Sequence, residues 1–392
     1  METNIQDRIR GSLIGGAIGD ALGYTVEFWG RKQILSHYGE QGITEFELSS
    51  NGKALVSDDT QMTLFTANGL LNWWNNNLRL SGAPITNFVE NAYLDWYYTQ
   101  TGKTNSADNG EERHYTWLHH LPELASRRAP GTTCMNACEA LLAGQQPVNS
   151  SKGCGGIMRV APVGLMQASY VSAKGKKILS DLHLAEETAK IARITHLHPL
   201  GYLPAALLAL LIARVSLLAP EEVRSSITDI VQDVLEIVMQ YESNDELRQI
   251  TERAIQLASA NIPDSDAIGI LGEGWTGEEA WAIALYCVVR HIDSAKDAII
   301  AAVNHDGDSD STGSIVGNIM GAIYGYKALK GERLFCPNGR ELQDTLELSN
   351  IILALADDLA LYPHVSEYST TLTRDQANRW YQRYGLMSPF GV

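Results

Sequence analysis

Apolar positions recur every three to four residues along most of this chain, the spacing of helices that lay one face on a core. The spacing predicts helices over 59–75, 84–98, 134–143, 184–195, 201–217, 220–240, 244–259, 277–292, 295–303, 312–329, 339–359 and 374–384, with a further one over 9–23. Loops are expected at 49–53, 101–112, 145–156, 261–277 and 361–366. A strand-like reading is confined to 44–48 and 54–56, which would form a short hairpin at most. No low-complexity linker or fixed-period repeat interrupts the pattern. Residues 1–392 are therefore expected to form one all-α domain, in which the N-terminal third meets the 300s.

The first helix carries Gly11, Gly15, Gly19 and Gly23, one glycine every four residues. Such a stripe is smooth, so another helix can approach closely. Each interior glycine costs about 1 kcal/mol against alanine, and repeating that cost implies tight packing or a nearby ligand. In a lipid setting the stripe would suggest helix dimerisation, but Arg8, Arg10 and Asp20 exclude that.

Composition narrows the class. A chain of 392 residues with 45% hydrophobic and 19% charged residues is that of an ordinary soluble globular protein. A formal charge of −16 argues against a nucleic-acid backbone as the main partner. The most apolar stretch, 203–218, carries Arg214 and is too short for a membrane span. The chain begins polar and acidic, without the pattern of a secretory leader. Five scattered cysteines read as reduced core thiols, and a cytoplasmic location is expected.

Two acidic clusters stand at helix starts. Asp308, Asp310 and Ser311 precede one apolar helical run, and Ser57, Asp58 and Asp59 open another. Carboxylates and hydroxyls packed so closely suit Mg²⁺ or Mn²⁺, and adjacent carboxylates repel unless a cation or solvent relieves them. The alternative reading is that the two clusters are independent N-caps on the surface. Residues 152–159 form a glycine-rich loop whose backbone N–H groups could approach an anion, although the spacing matches no nucleotide motif. Glu27 sits among aromatics, either as a surface acid or as a carboxylate of raised pKa able to act as acid or base. His196 and His198, two residues apart, would diverge on a helix, so a zinc pair is not expected; one of them could contact a ligand or the helix dipole. Trp275 would either stack on a base or pack the core.

Taken in order, these segments resemble the ADP-ribosylglycohydrolase family. The matching pieces are 10–23 with Glu27 following, 57–60, 155–162, 195–196, 272–275 and 307–313, all within about residues 8–330. The resemblance implies a compact orthogonal multi-helix fold with a cleft holding two divalent ions, Mg²⁺ or Mn²⁺. It implies Ser57, Asp58, Asp59, Asp308, Asp310 and Ser311 as metal ligands, with serine where the family more usually has threonine. It further implies Glu27, Asp58 or Asp310 as the group that takes the water's proton. Gly153, Cys154, Gly155, Gly156, Met158, His196 and Trp275 would contact substrate, but the loop departs from the family's usual Asn-Gly. The implied activity is removal of ADP-ribose from a modified protein side chain, arginine preferred, by cleavage at the anomeric carbon of the distal ribose. An immunity protein that occludes an ADP-ribosyltransferase toxin is the alternative, alone or alongside hydrolysis. A dimetal phosphohydrolase acting on a free nucleotide is weakened by the lack of a Lys or Arg cluster beside the acids.

Overall fold

A computed structural model describes residues 4–77, 82–103, 114–331, 335–365 and 372–385. Its helices, in chain order, are α1 (Ile5–Tyr24), α2 (Arg31–Tyr38), α3 (Asp58–Asn77), α4 (Ile85–Thr101), α5 (Thr132–Leu142), α6 (Ala161–Lys174), α7 (Asp181–Arg193), α8 (Pro199–Val215) and α9 (Pro220–Tyr241). They continue as α10 (Asp245–Ala258), α11 (Asp264–Leu271), α12 (Gly277–Arg290), α13 (Ala295–Val303), α14 (Ser309–Tyr324), α15 (Tyr326–Gly331), α16 (Leu342–Thr345), α17 (Ser349–Leu361) and α18 (Arg374–Tyr384). The protein is all-α. Among the described residues only two isolated bridges occur, Ala54 with Leu346 and Gly153 with Thr276, so the short hairpin does not form.

The centre of the fold is an antiparallel pair, α1 and α14. Glycines face each other turn by turn: Gly11 meets Gly321, Gly15 meets Gly317, and Gly19 meets Gly313. A Cβ on any of these would fall well inside van der Waals contact distance of the opposing carbonyl oxygen. Gly23 meets the carbonyl of Ser309 in the same way. With a four-residue repeat on both helices, the seam runs their full length. Nearly every residue of both helices is buried. Helix α8 provides the other centre, buried continuously from Leu200 to Ala213, as its apolar composition predicts. No helix among the described residues is long and apolar enough to cross a membrane.

The structure differs from the periodicity in five places. Helix α6 lies where the periodicity predicts no helix, because Pro162 and Gly164 mask it; proline is at home in a first turn. Helices α2 and α11 have eight residues each, too few turns for a period to emerge. Helix α14 ends at Tyr324, where Gly325 turns the chain at φ +83°. The run expected at 339–359 divides into α16 and α17, with Leu348 at φ +58° between them. Most of the 101–112 loop lies outside the described residues.

The seam predicts two opposite outcomes for one type of change. Gly317→Ala should lower stability by about 2–3 kcal/mol or more, since both backbones must separate. Gly269→Ala, on α11 with nothing near its missing Cβ, should raise stability by roughly 0.5–1 kcal/mol. Urea unfolding of both variants checks this, and equal effects would contradict the seam.

Candidate active-site cleft

Three helix ends converge where the glycine seam finishes. Helix α1 ends in a turn that carries Glu27, α3 begins at Asp58, and α14 begins just after Asp308. Helix α1 also contributes Asp20, which is fully buried. Its carboxylate accepts hydrogen bonds from Ser57 N (2.9 Å), Thr60 N (3.0 Å) and the Thr60 hydroxyl. Asp20 thus acts as the cap of α3 from another helix and fixes that helix start against α1. At α14, Asp308 accepts from Ser311 N at 3.2 Å, and Asp310 accepts from the same N–H at 3.0 Å.

The two acidic clusters therefore face one cavity of about 200 Å³, whose walls include Glu27, Asp58, Asp59, Asp308, Asp310 and Ser311. The buried Ser57 hydroxyl stands beside them and donates to Asp59 Oδ2 (3.4 Å). All of these residues are buried, Glu27 being only 8% exposed, which excludes the surface reading for it. Helix N-termini favour nearby carboxylates, but burial wins here. Burial first, and then the charges of Asp308 and Asp58, push Glu27 up to about 8. Burial likewise raises Asp58 to about 7, against an opposing bond from Gly131 N. Asp59 and Asp310 are raised well above the usual carboxylate range, by burial and then by neighbouring acids. Among the described residues no Lys or Arg pairs with any of these acids. Asp59 Oδ1 and Glu27 Oε2 have no hydrogen-bond partner. Crowded, buried, partly orphaned acid oxygens without a cation are a donor set that fits hard divalent ions.

The glycine loop forms the opposite wall. Gly153, Cys154, Gly155 and Met158 line the cavity, while Gly156 lies behind and packs on Gly201. The loop is stitched to its neighbours: Cys154 N donates to Trp275 O (3.1 Å), Gly277 N to Lys152 O (2.7 Å), and Asp308 N to Glu273 O (2.8 Å). The N–H groups of Cys154, Ile157 and Met158 are thereby spent within the protein, so an anion held here must use other amides. Cys154 Sγ donates to Asp308 Oδ2 at 2.8 Å. It is a thiol held protonated, chiefly by burial and then by Asp308. None of the five cysteines forms a disulfide.

His196 lies under this loop, so close that a Cβ on Gly155 would come within 2.7 Å of its ring. A relay behind it fixes its proton. Arg159, wholly buried, donates to Thr195 Oγ1 at 2.6 Å, and Thr195 Oγ1 lies 2.8 Å from His196 Nδ1. The threonine proton is assigned to Nδ1, a shorter contact than Ala192 O at 3.5 Å. That leaves Nε2–H as the donor turned to the cleft. Burial, and then Arg159, lowers the imidazole to about 3, so the ring stays neutral. His198 caps α8 by accepting from Leu200 N (3.1 Å) and takes no part in the cleft. At the mouth Trp275 is 38% exposed and stacks on Phe28, ring centroids 6.1 Å apart, so it is not a core residue.

Asp20, the Arg159–Thr195 relay and Gly131 were not legible as site residues. Asp20 had one available cue, an acid inside a helix otherwise built of small and apolar residues.

Fold and cleft together define an all-helical protein with a buried acidic site walled by a glycine loop. The chain belongs to the ADP-ribosylglycohydrolase family, whose description matches residues 1–367. It is 27% identical over 328 residues to an uncharacterized protein of Archaeoglobus fulgidus, covering 81% of this chain and 88% of that protein. It is 24% identical over 392 residues to the ADP-ribosylhydrolase ARH1 of Dictyostelium discoideum, covering 84% and 90%. The uncharacterized protein YegU of Escherichia coli is also 24% identical, over 343 residues, covering 82% and 89%. A solved ADP-ribosylglycohydrolase-related protein complex shares the fold, with a TM-score of 0.57, 21% identity, and coverage of 92% of this chain and 99% of that one. Family membership supports ADP-ribosylglycohydrolase activity in general terms.

The acids give the metal-free protein a definite pH response. Their folded-state pKa values, about 7 for Asp58 and about 8 for Glu27, exceed the ordinary carboxylate values. These acids thus hold more protons in the folded state, and their contribution to stability is full below about pH 4 and lost as pH rises through about 8; the neutral His196 opposes this only below about pH 6.5, which leaves about pH 6.5–8 as the window in which the acids act alone. Melting of EDTA-treated protein should show Tm falling over that window, and Mg²⁺ should restore more at about pH 8 than at about pH 5. A Mg²⁺ effect independent of pH would contradict the repulsion.

Proposed function

We propose that this protein hydrolyses the bond between ADP-ribose and a modified protein side chain, with arginine as the preferred acceptor and two divalent ions, Mg²⁺ or Mn²⁺, in the cleft. The observation that carries the reading is the set of buried carboxylates with no Lys or Arg paired to them among the described residues, opposite a glycine loop and a neutral histidine donor. Asp58, Asp59, Asp308, Asp310 and Ser311 would hold the ions, with Ser57 supporting Asp59. When bound, the ions would orient the ribose hydroxyls and make a water more acidic.

The chain's own groups then divide the work. The water oxygen bonds to the anomeric carbon as the carbon–nitrogen bond to the acceptor breaks, through an oxocarbenium-like state. Glu27 takes the water's proton through Oε2, which has no other partner. The departing guanidine nitrogen takes up that proton from Glu27, which returns the base to its starting state. His196 Nε2–H donates to a ribose or phosphate oxygen, and Trp275 with Phe28 offers an aromatic face at the cleft mouth. Gly155 and Gly153 keep the wall thin enough for the sugar to approach.

Incubation with arginine-linked and serine-linked ADP-ribosylated proteins should release free ADP-ribose mainly from the arginine-linked one, and EDTA should abolish release. Full activity after verified metal removal would sink the reading. Glu27→Gln should lower kcat by about 10²–10⁴-fold with bound metal unchanged, measured by single-turnover release and metal analysis. Near-normal turnover would move the base role to Asp58 or Asp310.

A further inference from the structure

Away from the carboxylate cleft, one other group of side chains is arranged for ligand chemistry. Asp95 on α4, with His114 and His119 from the segment that precedes α5, present ligand atoms all within 4.8 Å of one another. Among the described residues this is the one set of three that does so; the cleft acids are more widely spread.

Asp95 is fully buried. Its Oδ2 accepts from Tyr115 N (2.8 Å), Thr116 N (2.7 Å) and Thr116 Oγ1 (2.8 Å), which fixes the carboxylate. Its Oδ1 faces His114 Nδ1 at 3.3 Å, longer than the roughly 2.7–2.9 Å of a charge-assisted bond. The His114 and His119 rings lie face to face, centroids 3.3 Å apart and planes at 13°. His120 stands edge-on to both, at 5.5 and 5.7 Å. His119 Nδ1 is buried and has no hydrogen-bond partner, an unfavourable state for a ring nitrogen.

We propose that Asp95, His114 and His119 bind a single borderline transition-metal ion of the Zn²⁺ type, at a site separate from the carboxylate cleft. Two imidazole nitrogens and one carboxylate oxygen suit Zn²⁺ or Co²⁺, whereas the all-oxygen cleft suits Mg²⁺. One nitrogen of each ring and one Asp95 oxygen would be the ion's protein ligands, and a water would complete four-coordination.

The site has a place in the fold. The chain runs on from His119 to the loop that walls the acidic cleft. There Ser126 O accepts from Gln61 Nε2 (3.0 Å), Arg128 O accepts from Asp58 N (3.0 Å), and Gly131 N donates to Asp58 Oδ2 (3.2 Å). An ion at Asp95 ties the start of this segment to α4, so it braces the cleft wall from outside without touching substrate.

The test uses the full chain, stripped with EDTA and then held in excess Mg²⁺ to fill oxygen-rich sites, during titration with Co²⁺. One equivalent of Co²⁺ should bind with the visible absorption of a tetrahedral nitrogen–oxygen complex, and Zn²⁺ should displace it. His119→Ala and His114→Ala should lose that equivalent and its band while keeping their helical circular dichroism, and Asp58→Asn should keep the band. Wild-type protein that binds no Co²⁺ equivalent under Mg²⁺ overturns the proposal whatever the variants do. So does a band that survives in His119→Ala, or one lost in Asp58→Asn.

Discussion

The backbone contact between α1 and α14 is the constraint on which the rest depends. Only glycine on both helices lets the carbonyls of one lie where the side chains of the other would be. Any larger residue would push the helices apart. That separation would move Asp20 and Glu27, on α1 and its following turn, away from Asp308 and Asp310 at the start of α14. The site is thus set by residues that carry no chemistry. Repeated glycine in two helices is unfavourable by local propensity, and the close packing of the pair offsets it.

The seam creates an electrostatic conflict that local structure relieves only in part. Two helix N-termini and several backbone N–H groups face the acids, and Asp20 spends its charge on capping α3. Even so, burial lifts Asp58, Asp59, Asp310 and Glu27 above their ordinary range. A fold that only needed stability would do better with apolar residues of similar size. Unrelieved repulsion within a cavity is a mark of a ligand site rather than of a structural core. Behind the opposite wall the logic reverses: Arg159 is buried with neutral partners, and its field helps keep His196 neutral.

What the sequence revealed follows the range of the interactions. The glycine stripe and the acidic clusters are local patterns, so Gly11 to Gly23 and Asp58, Asp59, Asp308 and Asp310 could be read directly. That the stripe's partner is another stripe, Gly313, Gly317 and Gly321, is a pairing across some 300 residues that periodicity does not encode. Asp20 was read only as a charge against a membrane, because its partners Ser57 and Thr60 come from a different helix. The relay from Arg159 to Thr195 is hidden in the same way. His114 and His119 carry no familiar spacing and meet Asp95 only through the fold. Helix α6 was obscured by Pro162 and Gly164, residues that mark a loop in isolation but a helix start and a close contact here.

The central claim is that the glycine seam assembles a cation site from acids of α3 and α14. Its most direct measurement is anomalous diffraction from crystals of the protein grown with Mn²⁺. The account predicts two anomalous peaks in the cleft, each bounded by carboxylates from both clusters, Asp58 or Asp59 on one side and Asp308 or Asp310 on the other. A cleft without anomalous density at saturating Mn²⁺, with those acids protonated and bonded to one another, would contradict it.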